Sequence, residues 1–133
     1  MKIYENEFMI INLINQDQTL ELLWKPKTAS MTTSDFKAAL YVYACFAIEY
    51  HTPRLLVHIH EFGFRDAMSD ALTEWRNQHI FPKYNGAGVI KFAFLGHKEQ
   101  LPPQDPPQTD LANFQTRFFS DRLELENWFN IED

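Results

Sequence analysis

The rest of the fold is expected to be organised around Arg54–Asp66, which reads RLLVHIHEFGFRD and has apolar residues at four of the five positions 55–59. A short run in which apolar residues hardly alternate with polar ones is typical of a strand buried on both faces. This stretch therefore predicts a central strand of a parallel sheet, from Arg54 to His60. In open α/β sheets, ligands and partners bind at the loops beyond the carboxyl ends of the strands. The loop Glu61–Arg65 is thus expected at the functional edge.

Further strands are predicted on both sides of this one. Two short β-favouring segments, Glu7–Leu13 and Thr19–Trp24, are joined by the polar stretch Asn15–Gln18, which has the length of a turn between antiparallel strands. They predict a hairpin at the beginning of the fold. Val89–Leu95 and Thr116–Phe119 predict two more strands later in the chain.

The first predicted helix is apolar over most of its circumference. It starts near Ser34, after a group of capping side chains in residues 32–35. One apolar stripe recurs at spacings of 4, 3, 4 and 3 residues, and a second stripe lies beside it. The members of the first stripe are Phe36, Leu40, Tyr43, Ala47 and Tyr50, and those of the second are Ala39, Val42 and Phe46. A sheet covers about one stripe, so the second predicts a further layer or another subunit, and we expect a homodimer through this helix or the hairpin.

The other connections are predicted from capping and turn residues. Asp66 is expected to cap a second helix that runs to about His79, and Ser120 a last helix with Leu123, Trp128 and Ile131 turned inward. Pro82–Gly88 has the composition of a turn. Gly96–Asp110 contains two Pro-Pro pairs, which predicts an exposed, partly polyproline loop followed by a short helix from Thr109.

Length and composition indicate a single α/β domain over residues 1–133, with a mixed sheet and helices mainly on one side. The net charge of −6 and the scattered basic residues exclude a nucleic-acid-binding protein. Cys45 is expected as a small core residue, which indicates a reducing compartment. The N-terminal residues have neither a signal-peptide pattern nor an apolar run long enough for a membrane segment. A cytoplasmic protein without an integral membrane segment is therefore expected.

The order of these elements and the closing segment RFFSDRLELENWF resemble the STAS superfamily, in particular SpoIIAA-like proteins related to STAS and SEC14 domains. The resemblance covers about residues 7–130. It is carried by Arg117, Phe118, Phe119, Ser120, Asp121, Trp128 and Phe129. It implies a mixed sheet, helices on one main side, and a role in binding proteins or small ligands. Members that act as anti-sigma factor antagonists have a phosphorylatable serine after the central strand. The matching stretch Phe64–Met68 has no hydroxyl, which implies a module without that switch.

Candidate site residues lie in the two loops that would leave one edge of the sheet if their strands are parallel. These residues are His60, Glu61, Phe62, Phe64, Arg65 and Asp66 in the first loop, and His97, Leu101 and Pro102 in the second. Together they are predicted to line one groove for a ligand or a protein partner.

For the histidines and charged residues at this edge, ordinary structural roles are favoured over metal binding and catalysis. His58 and His60 project from one face of a strand, but a transition-metal site needs at least three donors, and a third would have to come from a residue such as His97. Glu61, Arg65 and Asp66 form an acid/base cluster only with a geometry that spacing does not guarantee; they are otherwise a cap and solvated charges. We predict no metal, no cofactor and no catalytic residues.

Two functions follow as hypotheses. The first is a non-enzymatic binding or regulatory module that docks an unidentified protein or a second copy of itself. The second is a carrier or enzyme for a small apolar, lipid-like ligand, with a pocket under the Pro-rich loop. The second rests on four phenylalanines, at positions 62, 64, 92 and 94, and on the distant likeness of the family to lipid-binding domains.

Overall fold

A computed structural model of the chain, in which residues 1–131 are described, shows an α/β fold with one mixed sheet of six strands. This confirms the predicted fold class. The strands are β1 (Lys2–Glu5), β2 (Met9–Ile14), β3 (Thr19–Trp24), β4 (Arg54–His58), β5 (Lys91–Leu95) and β6 (Gln115–Phe119). The helices are α1 (Thr33–Tyr50), α2 (Asp70–His79), α3 (Phe81–Ala87) and α4 (Arg122–Asn130).

The strands follow one another across the sheet in chain order, from β1 to β6. β1, β2 and β3 are antiparallel neighbours, whereas β3, β4, β5 and β6 are parallel. In the centre, Leu55 of β4 lies between Leu20 of β3 and Phe92 of β5. The predicted hairpin and the predicted central strand are therefore both confirmed, although the central strand ends at His58 and not at His60, which lies in the following turn. Since β3 to β6 run in one direction, their carboxyl ends share one edge of the sheet.

β1 is a strand that the sequence pattern did not indicate. It pairs with the outer side of β2, and its residue Tyr4 lies 5.7 Å from Phe46 of α1, measured between ring centroids. Val42 and Phe46 are partly buried against the core. The second apolar stripe of α1 is therefore covered in part by the chain itself.

α1 begins where the sequence predicts. Thr32 is its N-cap: the Thr32 hydroxyl accepts the Asp35 N–H, and the Asp35 carboxylate accepts the Thr32 N–H. This reciprocal pair satisfies two donors that a helix start leaves free. α1, α2 and α3 pack on one face of the sheet around the larger core, which includes Tyr43 and Tyr84.

α4 alone lies on the opposite face. Its residues Leu125, Trp128 and Phe129 form a smaller core with apolar residues of β4 and β5. The prediction for this helix was wrong in part, because Leu123 and Ile131 are 67% and 58% exposed. The N-cap is Asp121 and not Ser120: the Asp121 side chain accepts the Leu123 N–H.

The segment after β4 also differs from the prediction. Asp66 belongs to a short 3₁₀ turn, Arg65–Met68, and Ser69 caps α2 by accepting the Leu72 N–H. Pro82–Gly88 is not a turn: it lies in α3, with proline in the first helical turn and Gly88 ending the helix at φ 85°. Around Thr109 the chain forms only a hydrogen-bonded turn, in which Ala112 N donates to Thr109 O. Cys45 is exposed, so its prediction as a core residue is wrong.

Candidate functional site

The loops that follow β4 and β5 leave the sheet at the same edge and touch each other. The Gln100 side-chain amide donates to Ile59 O at 2.9 Å and to His60 O at 3.2 Å. Two turns of chain that are 40 residues apart in sequence are thereby fixed side by side. The neighbourhood expected from parallel strands is confirmed.

The first loop forms a groove with a different segment from the one predicted. The groove has a volume of about 680 Å³ and opens on the α1 side of the sheet. Its second wall is the connection between β3 and α1, residues 25–31, and not the Pro-rich loop. The lining residues are Ala29, Met31, Phe62, Gly63, Phe64, Arg65 and Asp66. We call it the carboxyl-edge groove.

Thr28 and Gly63 hold the two walls together. The Thr28 hydroxyl accepts the Gly63 N–H at 2.8 Å and donates to Lys25 O at 2.8 Å. Thr28 is fully buried, so this hydroxyl replaces the water that would otherwise satisfy these groups. A Cβ at Gly63 would lie 3.0 Å from Ala29 Cβ and 3.1 Å from Ala29 Cα. Glycine is therefore needed for the close approach of the walls.

An aromatic cluster lies beneath the groove and fixes the loop from below. Phe62 lies 5.0 Å from Trp24, and Phe64 lies 5.1 Å from Phe36, between ring centroids. Phe62 also contacts Phe36 at 6.1 Å. These separations are those of packed aromatic pairs, which gain about 0.5–1.5 kcal/mol beyond the burial of their area. The groove therefore has an apolar floor of packed aromatic rings.

The rim of the groove is charged. Arg65 and Asp66, which line the groove, and Glu61, which precedes the lining residue Phe62, are all exposed. Among the described residues Arg65 forms no ion pair and no hydrogen bond through its guanidinium. An Arg with free donors beside an apolar floor can bind a carboxylate in a bidentate manner.

A row of histidines lies at the same edge. The rings of His58 and His60 are 6.1 Å apart, and those of His60 and His97 are 4.8 Å apart. Burial lowers the pKa of His60, and the neighbouring His97 and His58 lower it further, against the weaker effect of Glu61. Within residues 1–131, no three His, Cys, Asp or Glu side chains are arranged so that they could hold a metal ion.

The sequence favours core histidines bonded to the backbone here, whereas His58 is bonded to a carboxylate. Its Nε2 lies 2.8 Å from Oε2 of the buried Glu21. The Asn12 amide donates to Glu21 at 3.0 Å, and Arg122 lies 3.5 Å away. Burial alone raises the pKa of Glu21, but the hydrogen bonds from His58 and Asn12 and the charges of His58 and Arg122 outweigh it and lower the pKa.

The Pro-rich segment lies against the edge strand β6. The Asp105 carboxylate accepts the Phe118 N–H at 2.9 Å, and Asn85 of α3 binds Leu111 O and Asn113 N. Leu101 is half-buried and Pro102 is exposed, and neither lines the carboxyl-edge groove. Of the predicted site residues, the structure thus brings together Phe62, Phe64, Arg65 and Asp66 in one groove, and His60 and His97 in the histidine row.

Sequence reasoning missed three residues of this region. Thr28 and Ala29 lie in the polar stretch between the second predicted strand and the first predicted helix, and their role depends on a contact with Gly63 that no periodicity signals. Ser69 was missed because α2 was expected to begin at Asp66. Phe64–Met68 indeed has no hydroxyl, but the helix after the central strand starts at Asp70, and its exposed N-cap Ser69 lies one residue beyond that stretch.

Comparisons with protein-family models, with curated proteins and with solved structures find no match. The chain is therefore defined by its architecture, an α/β protein with a six-stranded mixed sheet and a groove at the carboxyl edge. No helix among the described residues has both the length and the apolar character that crossing a membrane requires.

Proposed function

We propose that this protein is a non-enzymatic binding or regulatory module of the kind that STAS and SpoIIAA-like domains represent, and that a protein partner docks in the carboxyl-edge groove. The observation that carries the proposal is the pairing of an apolar floor, formed around Phe62, with the Arg65 guanidinium at the rim, which has no partner among residues 1–131. This combination suits a segment of a partner that presents an apolar side chain next to a carboxylate.

The groove is shallow, which favours a peptide segment over an enclosed small molecule. The four phenylalanines that suggested a lipid-like ligand pack against other side chains. Phe92 and Phe94 stack on each other at 4.7 Å, and Phe94 lies 5.4 Å from Phe118 of β6. A small apolar ligand therefore remains the second candidate, and native mass spectrometry of the purified protein distinguishes it by a co-purifying adduct.

Site-specific photo-crosslinking in cells tests the docking proposal. A photoreactive amino acid in place of Asp66, which is exposed at the groove, is expected to give a discrete adduct with one protein. The matched control carries it in place of Leu123, which is more than half exposed on the other face of the sheet. Adducts of equal yield from both positions, or none from position 66, would contradict the proposal.

Arg65→Ala supplies the mutational test. The adduct from position 66 should be strongly reduced, whereas the melting temperature should change by less than about 2 °C, because an exposed Arg contributes little to folding. A loss of melting temperature that matches the loss of adduct would assign Arg65 a structural role instead.

A further inference from the structure

α1 has an apolar stripe that the described part of the chain covers incompletely; its Tyr41 ring packs on Trp75 at 5.6 Å between centroids but stays partly exposed. The stripe consists of Ala38, Tyr41, Cys45 and Ile48, all of which are exposed, with Tyr41 at 39% and Ile48 at 38%. Helix surfaces that face water normally carry charged or amide side chains. The exposed face of α2 does so, with Asp70, Glu74 and Gln78. We call the four residues the α1 stripe.

The spacing of the α1 stripe is that of two adjoining heptads. The intervals of 3, 4 and 3 residues place its members at successive a and d positions, which is the pattern that packs one helix along another. In antiparallel pairing about a two-fold axis, a and d positions share a layer. Ala38 then meets Ile48 of the second copy, and Tyr41 meets its Cys45. Each layer combines a small side chain with a large one, so the two faces are complementary in size.

We propose that a second copy of this chain docks on the α1 stripe, with the two α1 helices antiparallel about a two-fold axis. This inference does not depend on the function proposed for the carboxyl-edge groove, which lies at the carboxyl ends of the parallel strands. It also refines the sequence-based expectation of a homodimer. Phe46, a member of the second stripe on which that expectation rests, packs on Tyr4 and Tyr50, whereas the four exposed positions lie beside it.

The charges around the stripe permit this arrangement. Lys37 lies 5.2 Å from the ring centroid of Trp75, beside the stripe, and Lys83 lies 5.5 Å from the ring centroid of Tyr41, a member of the stripe. Residue 37 of one copy lies level with residue 49 of the other, so the two Lys37 residues are about 18 Å apart along the helix axis at 1.5 Å per residue. That exceeds the Debye length of about 8 Å at physiological salt.

The area of the interface indicates a weak dimer. A stable, specific interface buries about 800 Å² on each partner. The α1 stripe spans about 15 Å at 1.5 Å per residue, and reaches such an area only with the partly exposed residues beside it. These are Val42, Phe46, Tyr50 and Trp75. We therefore expect a dissociation constant in the micromolar range, and an association that added salt does not weaken.

Sedimentation velocity between about 1 and 200 μM tests the proposal. The wild type is expected to pass from monomer to dimer, because that range spans a micromolar dissociation constant. Cys45→Arg is expected to raise the dissociation constant at least about tenfold, since an unpaired guanidinium would be buried between the helices. Leu123→Arg is the matched control, because it charges an exposed apolar residue on α4, across the sheet. A wild type that stays monomeric, or a Cys45→Arg variant that dimerises normally, overturns the proposal.

Cross-linking tests the register without disturbing the stripe. Antiparallel packing puts the two Cys45 Cα atoms about 6 Å apart along the axis, and roughly 8 Å apart in total at the usual helix separation. A short bismaleimide linker should therefore give a covalent dimer of the wild type. Glu49→Cys in a Cys45→Ser background places the thiols about 18 Å apart along the axis and should not be bridged. Equal yields of covalent dimer from both positions would refute this packing.

Discussion

Replacing Thr28 by valine tests whether one buried hydroxyl holds the carboxyl-edge groove together. Valine has nearly the shape of threonine, so the substitution leaves no cavity. The Lys25 carbonyl keeps a hydrogen bond in the variant, because the Thr28 N–H also donates to it at 3.1 Å. The Gly63 N–H, which donates to the Thr28 hydroxyl at 2.8 Å, is the group that loses its partner. An amide left without a partner costs about 1–3 kcal/mol when it is buried. Because Gly63 is only partly buried, we expect about 1–2 kcal/mol.

Urea denaturation followed by tryptophan fluorescence measures this loss. For a domain of this size, about 1–2 kcal/mol corresponds to a decrease in melting temperature of about 3–8 °C. Ser30→Ala is the control, because Ser30 is exposed in the same turn and its hydroxyl donates only to Lys27 O. It should change the free energy of unfolding by less than about 0.5 kcal/mol. If Thr28→Val is no more destabilising than Ser30→Ala, Thr28 does not hold the groove wall.

Two further predictions concern glycines and pH. Gly63→Ala should destabilise the fold, since the new Cβ would lie 3.0 Å from Ala29. The Cβ of Gly86→Ala in α3 meets nothing within 4 Å, so this variant should stabilise the fold by about 0.5–1 kcal/mol. Thermal melts of both variants measure these opposite effects. The lowered pKa of Glu21 stabilises the folded state above the unfolded value of 4.5, and this contribution is lost as pH falls through the lower folded-state pKa. Glu21→Gln should therefore flatten the acid side of the stability profile, measured by urea denaturation from pH 3 to 6, and an unchanged profile would exclude Glu21 as its source.

The parts of the fold that the sequence predicted are those where burial repeats with a simple period. β2, β3 and β4 form short apolar runs between polar turns, and α1 has a regular stripe after a clear cap. The position of the loops after β4 and β5 at one edge of the sheet was predicted from the parallel direction of these strands. These features depend on local composition and on the general topology of α/β sheets, so they need no knowledge of particular contacts.

α3 shows where local composition misleads. The stretch Pro82–Gly88 contains proline, asparagine and two glycines, which together favour a turn. In the structure, proline occupies the first helical turn, where its missing N–H is not needed, and Gly88 adopts the left-handed conformation that ends the helix. Tyr84 is almost fully buried from α3. Tertiary packing therefore outweighs a weak helix propensity, and Gly88, one of the residues whose composition suggested a turn, marks the helix end.

The caps of α2 and α4 show a different ambiguity. Each helix start offers two good N-cap residues, Asp66 and Ser69 for α2, and Ser120 and Asp121 for α4. Sequence alone does not show which residue of each pair caps the helix. Ser69 is used because Arg65–Met68 forms a 3₁₀ turn that delays the helix. The delay decides which residues line the groove, since it leaves Arg65 and Asp66 on the loop with exposed side chains.

Local sequence pattern does not predict the wall of the groove, because the wall depends on one contact between residues 35 positions apart in sequence. Thr28 lies in a polar connection that sequence alone describes as a spacer, and Gly63 lies in a loop whose charges draw attention first. Neither position is unusual alone. Their geometry is specific: the fully buried hydroxyl requires a donor within 3 Å, and that donor reaches it only because Gly63 has no Cβ to collide with Ala29. The two residues therefore act as one unit, and combining Thr28→Val with Gly63→Ala should cost less than the sum of the single losses in the free energy of unfolding.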